Sequence, residues 1–125
     1  MAPTSTSRLR VRPRHCDAQA VVHAIRYHEF FEDAVLGWLD DRAGGYRRLR
    51  DDSGVDLVIV SSACEYREPA RLDDDLEVDC DRERRGRTSL TLRCTVRRGT
   101  TVLAVGRITY VGVRDGAPSP LPAHL

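Results

Sequence analysis

Apolar residues recur at two different periods along this chain, and the change of period divides it. Between residues 24 and 41, Tyr27, Phe30, Phe31, Ala34, Val35 and Trp38 lie three or four positions apart. That spacing puts them on one stripe of an amphipathic helix. About 18 helical residues make a rod of roughly 27 Å, long enough to need a whole sheet as its partner. Gly44 and Gly45 follow and stop the helix, because glycine tolerates the left-handed backbone found after a helix C-terminus. Residues 46–51 form at most one more short helical turn.

From residue 55 the period is two. Residues 55–66 are apolar on both alternations, which predicts a strand covered on both faces in the middle of a sheet. Leu76, Val78 and Cys80 alternate with Glu77, Asp79 and Asp81, so the next strand has one wet face. Residues 84–87, with Gly86 among them, predict a hairpin, and Leu90, Leu92, Cys94 and Val96 continue beyond it. Gly99 marks another turn. Residues 101–114 form the last long strand, in which Ala104 and Gly106 are small enough for close approach of the helix. Near the N-terminus, Leu9 and Val11 alternate with arginines until Pro13, giving a short first strand over residues 7–12. Residues 1–6 and 117–125 are expected to be loosely ordered tails of a single domain spanning residues 1–125. Consecutive short hairpins force antiparallel pairing, so the fold class is α+β: one long helix against a five-stranded antiparallel sheet.

Composition narrows the class of partner. Twenty basic residues, all arginine, nearly balance nineteen acidic ones. No global field points to nucleic acid. No apolar run approaches a membrane span or a signal-peptide core, so a cytoplasmic protein without membrane contact is expected. Cys16, Cys64, Cys80 and Cys94 lack the CxxC spacing of metal or redox sites and are expected as small hydrophobes in a reducing compartment. The histidines, His15, His23, His28 and His124, show no ligand spacing, so neither metal nor other cofactor is implied.

Three stretches carry a resemblance: HCDAQAVVHAIRY at 15–27, CEYREPARLDDDLEV at 64–78 and LAVGRITYVGV at 103–113. Together they resemble the hotdog-fold thioesterases of the 4-hydroxybenzoyl-CoA thioesterase family, in which a curved antiparallel sheet wraps a long helix. In that family an acid within D-x-D is followed by two residues, a glycine, two aliphatics, an aromatic or His, and a Tyr at the helix start. Asp17, Val21, Val22 and Tyr27 match this pattern without a gap. Three positions depart from it: His15 replaces the first acid, Ala20 the glycine and Arg26 a residue that is usually Asn.

The resemblance implies hydrolysis of an acyl thioester carried on coenzyme A or acyl carrier protein. Such chemistry needs a nucleophile or base beside the carbonyl and a donor for the oxygen that becomes negative. On the family pattern Asp17 is the nucleophile or general base, and the Ala24 N–H near the helix start polarises the carbonyl. Unpaired amides and the macrodipole of a helix N-terminus suit the second role. His23 is a further acid–base candidate, against the commoner reading of a histidine that packs or caps. Tyr27 and Val22 are candidates for the acyl pocket. Arg84, Arg85 and Arg87 at the hairpin could bind the phosphates of coenzyme A or phosphopantetheine, since arginine pairs with phosphate bidentately. A Cys16 nucleophile lacks a Cys-His-Asn arrangement, and Ser61 and Ser62 lack the glycines of a nucleophile elbow. Two other readings stand beside hydrolysis: a hotdog hydratase or dehydratase, and a protein that only binds acyl groups. A homo-oligomer, dimer or homotetramer, with a site shared between chains is expected, because one helix is too little to cover the sheet.

Overall fold

The computed structural model describes residues 4–125. Its strands and helices run β1 (Ser5–Arg10), a 3-10 turn (Pro13–His15), α1 (Arg26–Ala43), α2 (Tyr46–Ser53), β2 (Asp56–Tyr66), β3 (Asp75–Arg85), β4 (Ser89–Arg98), β5 (Thr101–Arg114) and β6 (Ala117–Pro118). The sheet has the order β1-β3-β4-β5-β2, with β6 paired to the end of β5 and every pairing antiparallel. This is the α+β class expected from the alternation of periods. β1 begins two residues earlier than its apolar pattern suggested, since Ser5 and Thr6 already pair with Cys80 and Asp79. The loose N-terminal stretch expected over residues 1–6 therefore stops short of residue 5, and residues 1–3 lie outside the described residues.

α1 buries the predicted stripe and adds Leu39: Phe31 and Trp38 are fully enclosed, with Tyr27, Phe30, Ala34 and Val35 beside them. Burying each such large side chain stabilises the fold by about 1.5–3 kcal/mol. The sheet answers with the inward residues Leu76, Val78 and Cys80 of β3 and Leu90, Leu92, Cys94 and Val96 of β4. Gly106 of β5 lies directly under Phe31; a Cβ there would come within 2.4 Å of the ring. What the glycine admits is thus a phenyl ring. Gly44 ends α1 at φ +73°, its N–H on Asp40 O at 3.1 Å, and Gly45 N–H reaches Leu39 O at 3.2 Å. These bonds satisfy carbonyls that the helix end would leave bare.

The outer face of β3 and β4 is polar and internally paired. Arg97 bonds both Asp79 (2.7 Å) and Glu77 (3.1 Å), and Arg107 bonds Glu83 (3.0 Å). The Arg97 guanidinium holds the Asp79 carboxyl below its ordinary range. Register shifts in the β2–β5, β3–β4 and β4–β5 pairings bend the sheet around the helix, as bulges do.

Two expectations need correction. β2 is an edge strand, paired only with β5, and not the middle of the sheet. Its double apolar alternation leaves Val58, Ile59 and Val60 exposed (45–59%). The C-terminal stretch is docked: Leu121 and Leu125 are buried in the core, and Ser119 N–H bonds Gly112 O at 2.8 Å. Gly112 makes room for this, since a Cβ there would meet Leu121 and Ser119 O within 2.9 Å.

Candidate active site

The segment before α1 is a tight turn. Cys16 and Val22 form an antiparallel bridge, Asp17 N–H bonds Val21 O (3.0 Å), and Ala20 N–H bonds Asp17 O (3.1 Å). The Asp17 carboxylate takes the Gln19 N–H at 2.8 Å, a bond that aspartate makes readily at the first position of such turns. The rest of the carboxylate is exposed. Ala20 sits at φ +59°, the left-handed region that favours glycine. The position where the family pattern has glycine is thus one where the backbone asks for it. The turn is pinned to the segment before β3 through Leu72 N–H on Ala20 O (3.0 Å) and Val22 N–H on Ala70 O (2.8 Å).

His15, at the family's first acid position, is buried and structural. Its Nδ1 accepts the Arg12 N–H at 2.9 Å, its ring stands edge-on to Phe30, and its carbonyl accepts the His23 N–H at 2.9 Å. Burial, helped by the Arg14 charge, lowers its pKa.

α1 begins at Arg26, so Ala24 lies in the turn just before it. The His23 carbonyl accepts the Arg26 N–H at 2.9 Å and so points along the helix. In a planar trans peptide the N–H opposes the C=O, so the Ala24 N–H points away from the helix end. It has no protein acceptor among the described residues. The next carbonyl, Ala24 O, is held by the Tyr66 hydroxyl (3.2 Å) and by Tyr27 N–H (3.4 Å). The result is one fixed, outward-facing amide donor at the positive end of α1.

A cavity of about 270 Å³ lies against this donor, lined by Val22, Ala24, Tyr27, Tyr66, Arg67, Glu68 and Pro69. Val22, Ala24 and Tyr27 are therefore brought together. Tyr27 is almost wholly buried and its hydroxyl accepts the Ala70 N–H at 3.3 Å, so it closes the core and offers the cavity one side of its ring. Burial raises its pKa. His23 spends Nδ1 on the Ile25 N–H at 3.2 Å, the capping use of a histidine. Tyr66 was missed in the sequence; its signal was its place in the CEYREPARL stretch, with an apolar ring before a cluster of charges.

The hairpin arginines are elsewhere. β3 is 11 residues long, so its Arg85 end stands roughly 33 Å from the Asp75 end, near which the Asp17 turn is anchored. Arg85 is committed to main-chain oxygens of Leu121 (3.2 Å), Pro122 (2.9 Å), Leu125 (3.2 Å) and Gly86 (3.0 Å). Arg84 and Arg87 are exposed. All four cysteines are free thiols; Cys80 and Cys94 are buried in register, while Cys16 and Cys64 are half-buried.

The chain is similar to several known proteins. A protein of Aquifex aeolicus named "Putative esterase" is 30% identical over 94% of this chain and 91% of its own length. A 1,4-dihydroxy-2-naphthoyl-CoA thioesterase from Synechocystis has the same fold at 18% identity, with a TM-score of 0.85 covering 96% of this chain and 90% of that one. A Staphylococcus aureus protein solved in complex with CoA superposes with a TM-score of 0.87 at 16% identity, covering 98% of this chain and 78% of that one. The sequence profile of the thioesterase-like superfamily matches residues 11–125. With its curled sheet around one long helix, this chain belongs to the thioesterase-like superfamily and is a hydrolase acting on thioester bonds.

Proposed function

We propose that the protein hydrolyses an acyl thioester of coenzyme A or acyl carrier protein, with Asp17 as nucleophile or general base and the Ala24 N–H as the oxyanion donor. The observation that carries this reading is the Ala24 amide: fixed through its neighbours' hydrogen bonds, outward-facing and beside a cavity at a helix N-terminus. As the carbonyl carbon becomes tetrahedral, its oxygen gains charge that this donor receives. The Asp17 carboxylate either attacks that carbon and expels the thiolate, leaving an acyl anhydride on Asp17 that water then hydrolyses, or takes a proton from a water whose attack expels the thiolate directly; in both routes the thiolate is protonated and the free acid leaves. A hydratase or dehydratase would ask His23 for proton transfer, and its Nδ1 is already used.

The reading includes two chains. β2 presents 11 residues of unpaired edge with Val58, Ile59 and Val60 exposed, the surface a second copy would cover by antiparallel pairing. Such pairing sets the Tyr66 end of one β2 beside the Asp56 end of the other. Ser89, next to the arginine hairpin, and Val58 flank the same residue, Val111. The hairpin therefore belongs to the end of the sheet that antiparallel pairing turns toward the partner copy's Ala24. Arg84 and Arg87 are then the arginines free to meet substrate phosphates.

The test is release of free thiol from a panel of acyl-CoA and acyl carrier protein substrates, run with sedimentation at micromolar concentration. Thiol release by a dimer or larger species supports the reading. A fully active monomer overturns the shared site, and no thiol release from any thioester overturns the function.

A further inference from the structure

A second and larger cavity, about 510 Å³, opens between α1 and the β2–β5 side of the sheet. Its walls are aliphatic, with Val35, Leu36 and Leu39 of the helix across from Leu57, Ile59 and Ile108 of the strands. Its volume lies in the range of about 300–1,000 Å³ typical of small-molecule pockets.

Tyr110 lines this cavity. The residue is only 8% exposed, yet its phenol has no hydrogen-bond partner among the described residues. The hydroxyl is not enclosed by the protein but opens onto the cavity, where a guest can reach it. Nearby Tyr46 differs, since its hydroxyl accepts the Leu57 N–H at 3.3 Å. Burial pushes the Tyr110 pKa up, so the group remains an O–H donor.

The cavity also lies further along the same α1–β2 seam as the Ala24 amide. α1 and β2 run side by side in opposite directions: Ala24 O meets the Tyr66 hydroxyl, and one turn on, His28 Nδ1 lies 3.3 Å from Ser62 Oγ. His28 and Ser62 are at the near end of the cavity and Leu39 at the far end. At 1.5 Å per residue, it begins about 6 Å from Ala24 and ends about 22 Å from it. Glu29 and Glu32 also line it, and their carboxylates disfavour an anionic guest.

We propose that this cavity takes the acyl group of the substrate, and that the group is neutral and largely apolar with one hydroxyl or keto oxygen placed to accept the Tyr110 O–H. Tyr110 then selects among acyl groups without taking part in the chemistry. The assignment rests on the thioesterase reading for the direction in which substrate enters, but its test does not need turnover.

Non-hydrolysable S-octyl-CoA thioether, a series with one oxo group at successive chain carbons, and a chain ending in carboxylate are titrated calorimetrically. One oxo position is expected to bind on the order of ten-fold tighter than plain octyl, the worth of one good buried hydrogen bond. Tyr110→Phe is expected to erase that gain and leave plain octyl within about two-fold. Leu36→Trp, at a helix position partly exposed in the wall, should weaken every octyl-length ligand. The carboxylate-tipped chain should bind worst. A gain that survives Tyr110→Phe, no gain at any position, or octyl binding indifferent to Leu36→Trp overturns the assignment. Absence of thiol release with this binding pattern intact would remove the hydrolase reading alone.

Discussion

The Asp17 turn and the arginine hairpin are both candidate functional patches in the sequence, and the structure uses Asp17 and Arg85 in opposite ways. At the turn, hydrogen bonds fix the backbone and leave chemistry available: Asp17 spends part of its carboxylate on Gln19 N–H, and the Ala24 N–H is unspent. At the hairpin, Arg85 satisfies main-chain oxygens of the C-terminal stretch and so serves folding. Charge density is therefore a poor guide to a site. The better guide is which polar groups remain unpaired after the fold has used what it needs.

The contrast would break first at Asp17. Asp17→Asn keeps the shape and the bond to Gln19 N–H while deleting the charge, and kcat is expected to fall by about 10²- to 10⁴-fold with an unchanged circular dichroism spectrum. A variant keeping more than about a tenth of wild-type turnover would move the chemistry elsewhere. At the hairpin the same kind of change should act on stability. Arg85→Ala is expected to lower unfolding free energy by about 2 kcal/mol in urea titrations, because the docked carbonyls lose charge-assisted bonds. The double variant Arg84→Ala with Arg87→Ala should leave stability alone and raise KM for acyl-CoA several-fold with kcat little changed, as for contacts made equally in ground and transition states. KM unaffected by this pair would reduce the whole hairpin to scaffolding.

Two smaller effects sharpen the account of the turn. Ala20→Gly should stabilise the protein by about 0.5–1 kcal/mol, since relief of the left-handed strain outweighs the added freedom of the unfolded chain. Loss of stability in thermal melts would mean that the Ala20 methyl does something its backbone angle does not reveal. The smallest effect concerns pH. Burial lowers the His15 pKa, so the unfolded chain takes a proton more readily than the folded one. Stability from this residue is complete above the unfolded pKa of about 6.5, declines as pH falls through the interval below it, and levels off beneath the folded pKa. Urea midpoints measured from pH 7.5 to 5 should show that decline, and His15→Gln should lack it.

The α1 stripe, the strand over 101–114 and the turns at Gly44 and Gly99 were legible from periodicity because each depends on neighbours in sequence. The Asp17 turn was legible only through a family pattern, and the purpose of its glycine position appeared with the φ angle of Ala20. β2 was misplaced for a physical reason. Two-sided apolarity says that a strand wants cover on both faces, and it does not say how many of its edges are paired. The commitment of Arg85 to the C-terminal stretch was not legible because its acceptors lie 36 to 40 residues away in the chain. Local pattern thus determined which elements form, which faces are apolar and, with the resemblance, which reaction to look for. Strand order, the docking of the C-terminal stretch, the free Ala24 amide and the unpartnered Tyr110 phenol were decided only in three dimensions. Each of these depends on which distant groups compete for the same hydrogen bonds and the same covered surface.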